Sequence, residues 1–252
     1  MLPILNLGPL SINSQLIIIF AGIWIGLSFS EKKAPLRGIS SSKIGSLIFT
    51  ALIAGIIGAR LGYVMQYFSF FVKDPLAIIA LKPVMFDLST GLLVGVLSAY
   101  VYIQKNRLNL LNVLDALVPG LAIFSLAMGF SHLASGDAYG IPTSLPWGID
   151  LWGEIRHPTQ IYEIITALII MIAVWPKRGM SESDNPKLPA GLTLFLFLTL
   201  HAGSQILIES FKADSELFYS GIRTAHILWW LVMLVSLIQL NRLLRPILSE
   251  NE

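Results

Sequence analysis

About seven apolar runs, most of them long enough to cross a lipid bilayer, constrain this 252-residue chain more than any other feature. A bilayer core requires about 20 apolar residues of helix, so these runs must pack against one another and against lipid. The predicted fold is an all-α, polytopic integral membrane helical bundle, a single transmembrane domain over residues 1–252. The predicted spans are about Ser14–Ser30, Ile44–Phe68, Phe86–Ile103, Leu110–Phe130, Ile161–Trp175, Leu188–Glu209 and Ala225–Leu240.

The composition supports a membrane protein and excludes several kinds of site. Charged residues make up 13% of the chain, against roughly 25% in soluble domains. The chain contains no cysteine, which excludes disulfides, thiolate metal sites and a cysteine nucleophile. Its four histidines are scattered, and no metal-binding or phosphate-binding loop motif occurs. We therefore expect no metal and no cofactor, and we expect no nucleic acid among the partners.

Basic residues predict the orientation, because cytoplasmic loops carry an excess of Lys and Arg. The loops after the first, third, fifth and seventh spans contain Lys32, Lys33, Arg37, Lys43, Lys105, Arg107, Lys177, Arg178, Lys187, Arg242 and Arg245. The opposite side contains only Lys73, Lys82, Arg156, Lys212 and Arg223. The N-terminus is therefore predicted to lie outside and the C-terminus in the cytoplasm.

A polar, turn-rich segment from Gly129 to Glu163 separates the fourth and fifth spans. Its Gly, Pro, Asp and Ser residues exclude one long helix. Irregular backbone at membrane depth is tolerated only where protein or water satisfies its polar groups, so this segment lies at a membrane surface or folds into a cavity. His132 and Asp137 could form an acid–base pair there, since a carboxylate raises the basicity of an imidazole. The alternative is that both residues are structural.

Polar residues inside the predicted spans are further candidates. Arg60 lies in an apolar run and needs a partner or a wet cavity. It either holds a lipid phosphate or carboxylate, or has a structural role in which it forms an ion pair or extends to the membrane interface. His201, Gln205 and Glu209 are spaced four apart and form one stripe of a helix. This stripe could line a substrate cavity, with Glu209 paired to Arg60, or form a structural seam. Glu163 either caps a helix or meets an arginine.

Several motifs resemble those of the prolipoprotein diacylglyceryl transferase family of bacterial membrane enzymes. They are LGPLSI at 7–12, GARLGYV at 58–64, DPL at 74–76, GLLVG at 91–95, the spacing from Asp115 onward, GDAYGIPTSLPWG at 136–148 and RHPTQIYE at 156–163. The resemblance implies a multi-pass protein of the bacterial cytoplasmic (plasma) membrane. Such a protein transfers a diacylglyceryl group from phosphatidylglycerol to a cysteine thiol in a prolipoprotein signal peptide.

If the chain is an active transferase, the candidate residues take the place of the family's own site residues in a rearranged site. A central cavity open to the outer leaflet would bind the phospholipid. His132 would assist deprotonation of the thiol, with Asp137 orienting it. The predicted lipid-binding residues are Arg60, Arg156, Glu163, His201, Gln205 and Glu209.

The chain departs from the family pattern at charged positions. A histidine before the glycines of the third span is Thr90 here, and the signature arginine and asparagine are Gly129 and His132. The signature glutamate is shortened to Asp137, the arginine of the sixth span is Gln205, and a tyrosine of the first span aligns with about Gln15. Losing an arginine that faces a phosphate costs on the order of 10²-fold in rate.

These departures predict a degenerate, non-catalytic relative that acts as an accessory or binding subunit in a membrane complex. An active phosphatidylglycerol–prolipoprotein diacylglyceryl transferase is the alternative. A transporter is a third possibility that the polar stripe permits, but the absence of inverted repeats disfavours it.

Overall fold

A computed structural model describes residues 4–7, 10–79, 85–176, 189–215, 217–218 and 221–249 of the chain. Most of these residues are helical, as predicted. The α-helices are α1 (Ser14–Lys33), α2 (Ser41–Gln66), α3 (Phe68–Lys73), α4 (Leu88–Lys105), α5 (Leu110–Ser135), α6 (Thr159–Val174), α7 (Leu192–Glu209) and α8 (Thr224–Ser249). Short 3-10 helices follow at Ala34–Arg37 and Pro75–Ile79.

In the part of the chain that the structure describes, five helical segments are long and apolar enough to cross a membrane, judged by length and composition. They are Ser14–Arg37, Ser41–Gln66, Leu110–Ser135, Leu192–Glu209 and Thr224–Pro246. The other two predicted spans correspond to α4, whose 18 residues end in a polar turn, and to α6, an apolar helix of 16 residues. The chain is thus a polytopic helical membrane protein.

The fourth predicted span ends too early. Helix α5 begins after Asn109, whose side chain accepts hydrogen bonds from the amides of Leu111 and Asn112. It continues past Phe130 to Ser135 and ends at Gly136, which adopts a left-handed conformation with φ 84°. The beginning of the segment predicted to be turn-rich is therefore helical, and His132 lies in the last turn of α5.

The prediction of an all-α fold also missed three short antiparallel hairpins among the described residues. They are formed by β1 (Ile4–Leu7) and β2 (Leu10–Asn13), β3 (Ile149–Leu151) and β4 (Glu154–Arg156), and β5 (Leu217–Phe218) and β6 (Ile222–Arg223). Each hairpin precedes or joins helices and is too short for its pattern to stand out. Some residues used in the predictions lie outside the described ranges, namely Gly8, Pro9, Lys82, Lys177, Arg178, Lys187 and Leu188.

Glycines allow two helix pairs to form, α1 with α5 and α2 with α4. A Cβ atom on Gly26 of α1 would lie 2.8 Å from the carbonyl oxygen of Gly120 on α5. On α4, a Cβ atom at Gly91 would lie 2.7 Å from the Cβ atom of Ala59. Such close approach is typical of membrane helices that pack through small residues.

An apolar cavity of about 540 Å³ separates these two helix pairs. Its walls include Leu27 of α1, Leu52 of α2, Leu92 of α4 and Phe124 of α5. Large apolar side chains also cover the outside of the bundle, such as Trp24, which is 75% exposed. An outer surface of this kind suits contact with lipid.

Candidate functional site

A second cavity, of about 320 Å³, lies among α5, α6, α7 and the start of α8. Unlike the apolar cavity, it has ionisable and amide side chains in its wall. These polar residues are His132, Glu163, His201, Gln205 and Lys212. The two cavities are neighbours, since Leu121 and Phe124 of α5 line both.

Glu163 is the centre of the charged cluster in this polar cavity. Its Oε2 atom lies 2.6 Å from Nδ1 of His132, and its Oε1 atom lies 2.7 Å from Nζ of Lys212. The Glu163 side chain is only 7% exposed. A carboxylate that accepts a hydrogen bond from Nδ1 fixes the tautomer and leaves Nε2 as the basic nitrogen. The arrangement is that of a general base with an orienting partner.

Gly129 makes the contact between His132 and Glu163 possible. A Cβ atom at Gly129 would lie 2.9 Å from Cγ1 and 3.1 Å from the amide nitrogen of Ile164 on α6. No side chain fits there unless α6 moves away. Because Gly129 and His132 are three residues apart on α5, they share a face of the helix. The position at which the family signature has an arginine is therefore a packing surface in this chain.

Lys212 is a functional candidate that the sequence prediction missed, having treated it only as one outer basic residue. It follows α7 in a segment that pairs with residues 139–141. The amide of Ile141 donates to the carbonyl of Phe211 at 2.8 Å, and the amide of Ala213 donates to the carbonyl of Tyr139 at 2.9 Å. The ammonium group also lies 3.9 Å from Oε2 of Glu209. Its spacing of three residues from Glu209, at the end of the polar stripe, was the available signal.

The predicted pairing of Asp137 with His132 does not form. The Oδ2 atom of Asp137 accepts a hydrogen bond of 2.8 Å from Nε2 of Gln15, at the start of α1. Gln15 and Asp137 both stand at positions where the chain departs from the family pattern. The two departures thus contact each other, and neither lines the polar cavity.

The residues of the polar stripe on α7 lie in two places, the cavity wall and the protein interior. His201 and Gln205 line the cavity, and the His201 ring stacks on Phe197 at 5.5 Å between centroids. Glu209 is buried at the end of α7, and Arg223 donates a hydrogen bond to its backbone carbonyl. The predicted pairing of Glu209 with Arg60 is not what the structure shows, since Lys212 is the nearby cation.

Arg60 is engaged with backbone instead. Its guanidinium donates to the carbonyls of Ile78 at 2.8 Å, Met85 at 2.6 Å and Ala77, and so links the end of the 3-10 helix Pro75–Ile79 to Met85, which precedes α4. Phenylalanine rings lie within 5.5 Å of it. These contacts are with backbone carbonyls and aromatic rings and not with a carboxylate, and the predicted lipid-binding role of Arg60 remains a prediction.

Arg156 holds the polar segment together. Its Nε atom donates to the carbonyl of Leu151 at 3.2 Å, Nη1 donates to that of Gly140 at 3.3 Å, and Nη2 pairs with Glu154. These contacts tie the β3–β4 hairpin to residues 139–143. Arg156 therefore supports the strand-like segment against which Lys212 is placed, and it does not line the polar cavity.

The cavity combines a base, a cation and space for a substrate. An imidazole held by a buried carboxylate accepts a proton, and an ammonium group attracts an anion. Within the described ranges, no three His, Asp or Glu side chains are grouped so that they could hold a metal ion. The side chains of this cavity can support proton transfer next to a bound anion.

Known proteins and a family model are similar to this chain over most of its length. The family model for prolipoprotein diacylglyceryl transferase matches residues 3–241. Similar proteins come from Streptococcus pyogenes serotype M5 (strain Manfredo), serotype M49 (strain NZ131) and serotype M1, each named phosphatidylglycerol–prolipoprotein diacylglyceryl transferase. Each is 28% identical over 245 residues, covering 93% of this chain and 92% of the relative. The similarity extends across the whole polar cavity.

Proposed function

The chain belongs to the prolipoprotein diacylglyceryl transferase family, and we propose that it is an active phosphatidylglycerol–prolipoprotein diacylglyceryl transferase of the bacterial cytoplasmic membrane. The names of its relatives give the phospholipid and the lipoprotein precursor as substrates. One observation carries the proposal: Nδ1 of His132 lies 2.6 Å from Oε2 of Glu163 in the wall of a polar cavity. A base with its orienting partner is therefore present despite the substituted motif positions.

In the proposed reaction, Nε2 of His132 takes the proton of a cysteine thiol in the signal peptide. The sulfur attacks the glyceryl carbon that carries the phosphate, so that a C–S bond forms and the C–O bond to phosphate breaks. Glycerol phosphate leaves with the electron pair of that bond, and the proton on His132 passes to it or to water. Glu163 stabilises the imidazolium that forms in between.

The two neighbouring cavities suit the two parts of a phospholipid. The apolar cavity has space for acyl chains, and the polar cavity would receive the headgroup. Leu121 and Phe124, which line both cavities, would lie between these two parts of the lipid. His201 and Gln205 would contact the headgroup from α7. Arg60 and Arg156, whose guanidinium groups are bound to backbone carbonyls, would act by positioning the loops around the site.

The proposed topology follows the basic residues of the sequence. About seven spans, counting α4 and α6, would place the N-terminus outside and the C-terminus in the cytoplasm. The segment between α5 and α6 and the segment around Lys212 would then face the outer side, where a signal peptide arrives. One transmembrane domain would contain both substrate cavities.

A non-catalytic accessory subunit is the second candidate, and the neutral motif positions favour it. A Cβ atom at Gly129 would lie 2.9 Å from Cγ1 of Ile164 on α6, so this position has no room for a larger catalytic group. Such a subunit would keep the lipid cavity and bind other membrane proteins. Recovery of the protein in detergent with a stoichiometric partner supports this candidate, and recovery of the protein alone counts against it.

Transfer can be measured directly with the purified protein. Phosphatidylglycerol vesicles and a peptide containing a lipobox cysteine are incubated with it, and mass spectrometry detects the diacylglyceryl group on the peptide. We expect product with the wild-type protein and none when the cysteine of the peptide is replaced by serine. Absence of turnover by a folded, lipid-binding protein would overturn the proposal and favour the accessory subunit.

A further inference from the structure

Lys212 is the only lysine or arginine among the described residues that line the polar cavity. The arginines of the candidate set and Arg223 are engaged elsewhere: Arg60 and Arg156 donate to backbone carbonyls, and Arg223 donates to the carbonyl of Glu209 and to Ser215. An anion that enters the cavity therefore meets one lysine in the described part of its wall, which the sequence analysis did not select as a site residue.

The contacts of Lys212 allow its ammonium group to change partners. Its backbone is held by hydrogen bonds on either side, through Phe211 and Ala213. Its side chain is 13% exposed and has one close ionic partner, Glu163 at 2.7 Å, with Glu209 at 3.9 Å. A lysine side chain is long and flexible, so its ammonium group can move by a few ångströms while the backbone stays in place.

From this geometry we infer that Lys212 is the binding group for the phosphate of an anionic lipid headgroup, and that it leaves Glu163 to make this contact. The inference rests on the proposed function for the identity of the lipid. An exchange of a carboxylate for a phosphate keeps the ammonium group paired, so that Lys212 itself is not left as a buried unpaired charge. Glu163 remains hydrogen-bonded to His132 throughout.

Binding measurements in detergent test this inference without requiring turnover. The probes are a short-chain phosphatidylglycerol, a diacylglycerol with the same acyl chains, and glycerol phosphate without chains. We expect Lys212→Gln to weaken phosphatidylglycerol binding about tenfold or more, because a charge-assisted hydrogen bond is lost. Diacylglycerol binding should stay unchanged, and Lys212→Arg should restore most of the affinity for phosphatidylglycerol.

Two further variants sharpen the test. Glu163→Gln removes the competing carboxylate charge, so it should tighten phosphatidylglycerol binding several-fold if Lys212 exchanges partners. Lys105→Gln, at an exposed lysine in the last turn of α4, serves as the matched control and should leave all affinities unchanged. Glycerol phosphate that binds as strongly as the lipid, and with the same dependence on Lys212, would identify the free phosphate ester as the ligand.

The inference is overturned if Lys212→Gln binds phosphatidylglycerol as tightly as the wild type. Equal weakening of phosphatidylglycerol and diacylglycerol would also overturn it, since that result indicates a structural role. The outcome is separate from that of the transfer assay. Lys212-dependent binding without transfer contradicts only the proposed activity, whereas transfer without Lys212-dependent binding contradicts only the assignment of Lys212.

Discussion

The two ends of α5 each bury a carboxylate against a cation, but only one of them forms a site. Near its beginning, Asp115 accepts hydrogen bonds from the amides of Gly191 at 2.9 Å and Leu194 at 2.8 Å, and lies 3.3 Å from Nη1 of Arg37. Near its end, His132 contacts Glu163, which also binds Lys212. The 17 residues from Asp115 to His132 separate the two clusters by about 25 Å along the helix.

The difference between the two clusters lies in the space beside them. The side chain of Asp115 is fully buried, and the cavity next to it measures about 20 Å³, little more than a water molecule. The cluster of Glu163 opens into about 320 Å³. A buried ion pair is thus a structural element where its polar atoms are already hydrogen-bonded and the adjacent cavity is too small for a ligand. It becomes a candidate site where a ligand can reach it.

The largest effect should come from His132, at the open end. His132→Gln removes the proposed base and should lower the rate of diacylglyceryl transfer by about 10²- to 10⁴-fold. The melting temperature in detergent should change little, because the cavity beside His132 accepts the change. Mass spectrometry of the peptide product gives the rate. His226→Gln, outside the cavity wall, is the matched control, and full activity of His132→Gln would remove His132 from the mechanism.

At the closed end, Asp115→Ala should destabilise the fold by about 3–5 kcal/mol, because it leaves Arg37 buried without its partner. Denaturation in detergent measures this loss. The double variant with Arg37→Met should recover part of it. Glu163→Gln should destabilise less than Asp115→Ala, because water can enter the open cavity. Equal losses at the two carboxylates would break the contrast between the two ends.

Gly129 tests whether helix packing creates the open site. Gly129→Ala should destabilise by about 1–3 kcal/mol through overpacking against Ile164, and it should lower transfer by separating His132 from Glu163. Melting temperature and transfer rate are measured on the same preparation. Gly203→Ala on α7 is the control, since its nearest contact, Sδ of Met233, lies 3.9 Å away. A Gly129→Ala variant indistinguishable from that control would show that α6 adapts freely.

The smallest effect is expected for Asp137, which lies outside the cavity. Asp137→Asn keeps the exposed contact with Gln15 and should change transfer by less than about threefold, since an exposed hydrogen bond contributes only about 0.5–1.5 kcal/mol. The peptide transfer assay measures this. A hundredfold loss would restore Asp137 as a catalytic residue and extend the site beyond the cavity.

Local signals explain which parts of the fold the sequence predicted well. The starts of α1 at Ser14 and α5 at Leu110 agree with the predicted spans, because an asparagine caps each helix and an apolar run follows. The end of α5 at Ser135 was missed, because Gly129 resembles a stop signal although it lies inside the helix. The hairpins were missed because two to four residues carry too little pattern.

The candidate site was predicted only as a set of residues. His132, Glu163, His201 and Gln205 were all selected from the sequence, and all four line the polar cavity. Their pairing was not predicted: His132 was matched with Asp137, five residues away, but contacts Glu163, which is 31 residues away. Lys212 was not selected at all.

The sequence by itself determined the membrane-spanning class, the family and most of the polar side chains of the site, because each is encoded in local runs of residue types. Tertiary structure decided which carboxylate contacts His132, which cation lines the cavity and which backbone carbonyls the guanidinium groups of Arg60 and Arg156 bind. Those contacts depend on how closely α5 and α6 approach at Gly129 and on where residues 211–213 pair with residues 139–141. The two sides of such a contact lie tens of residues apart in the sequence, 31 in the case of His132 and Glu163, so no local pattern encodes it.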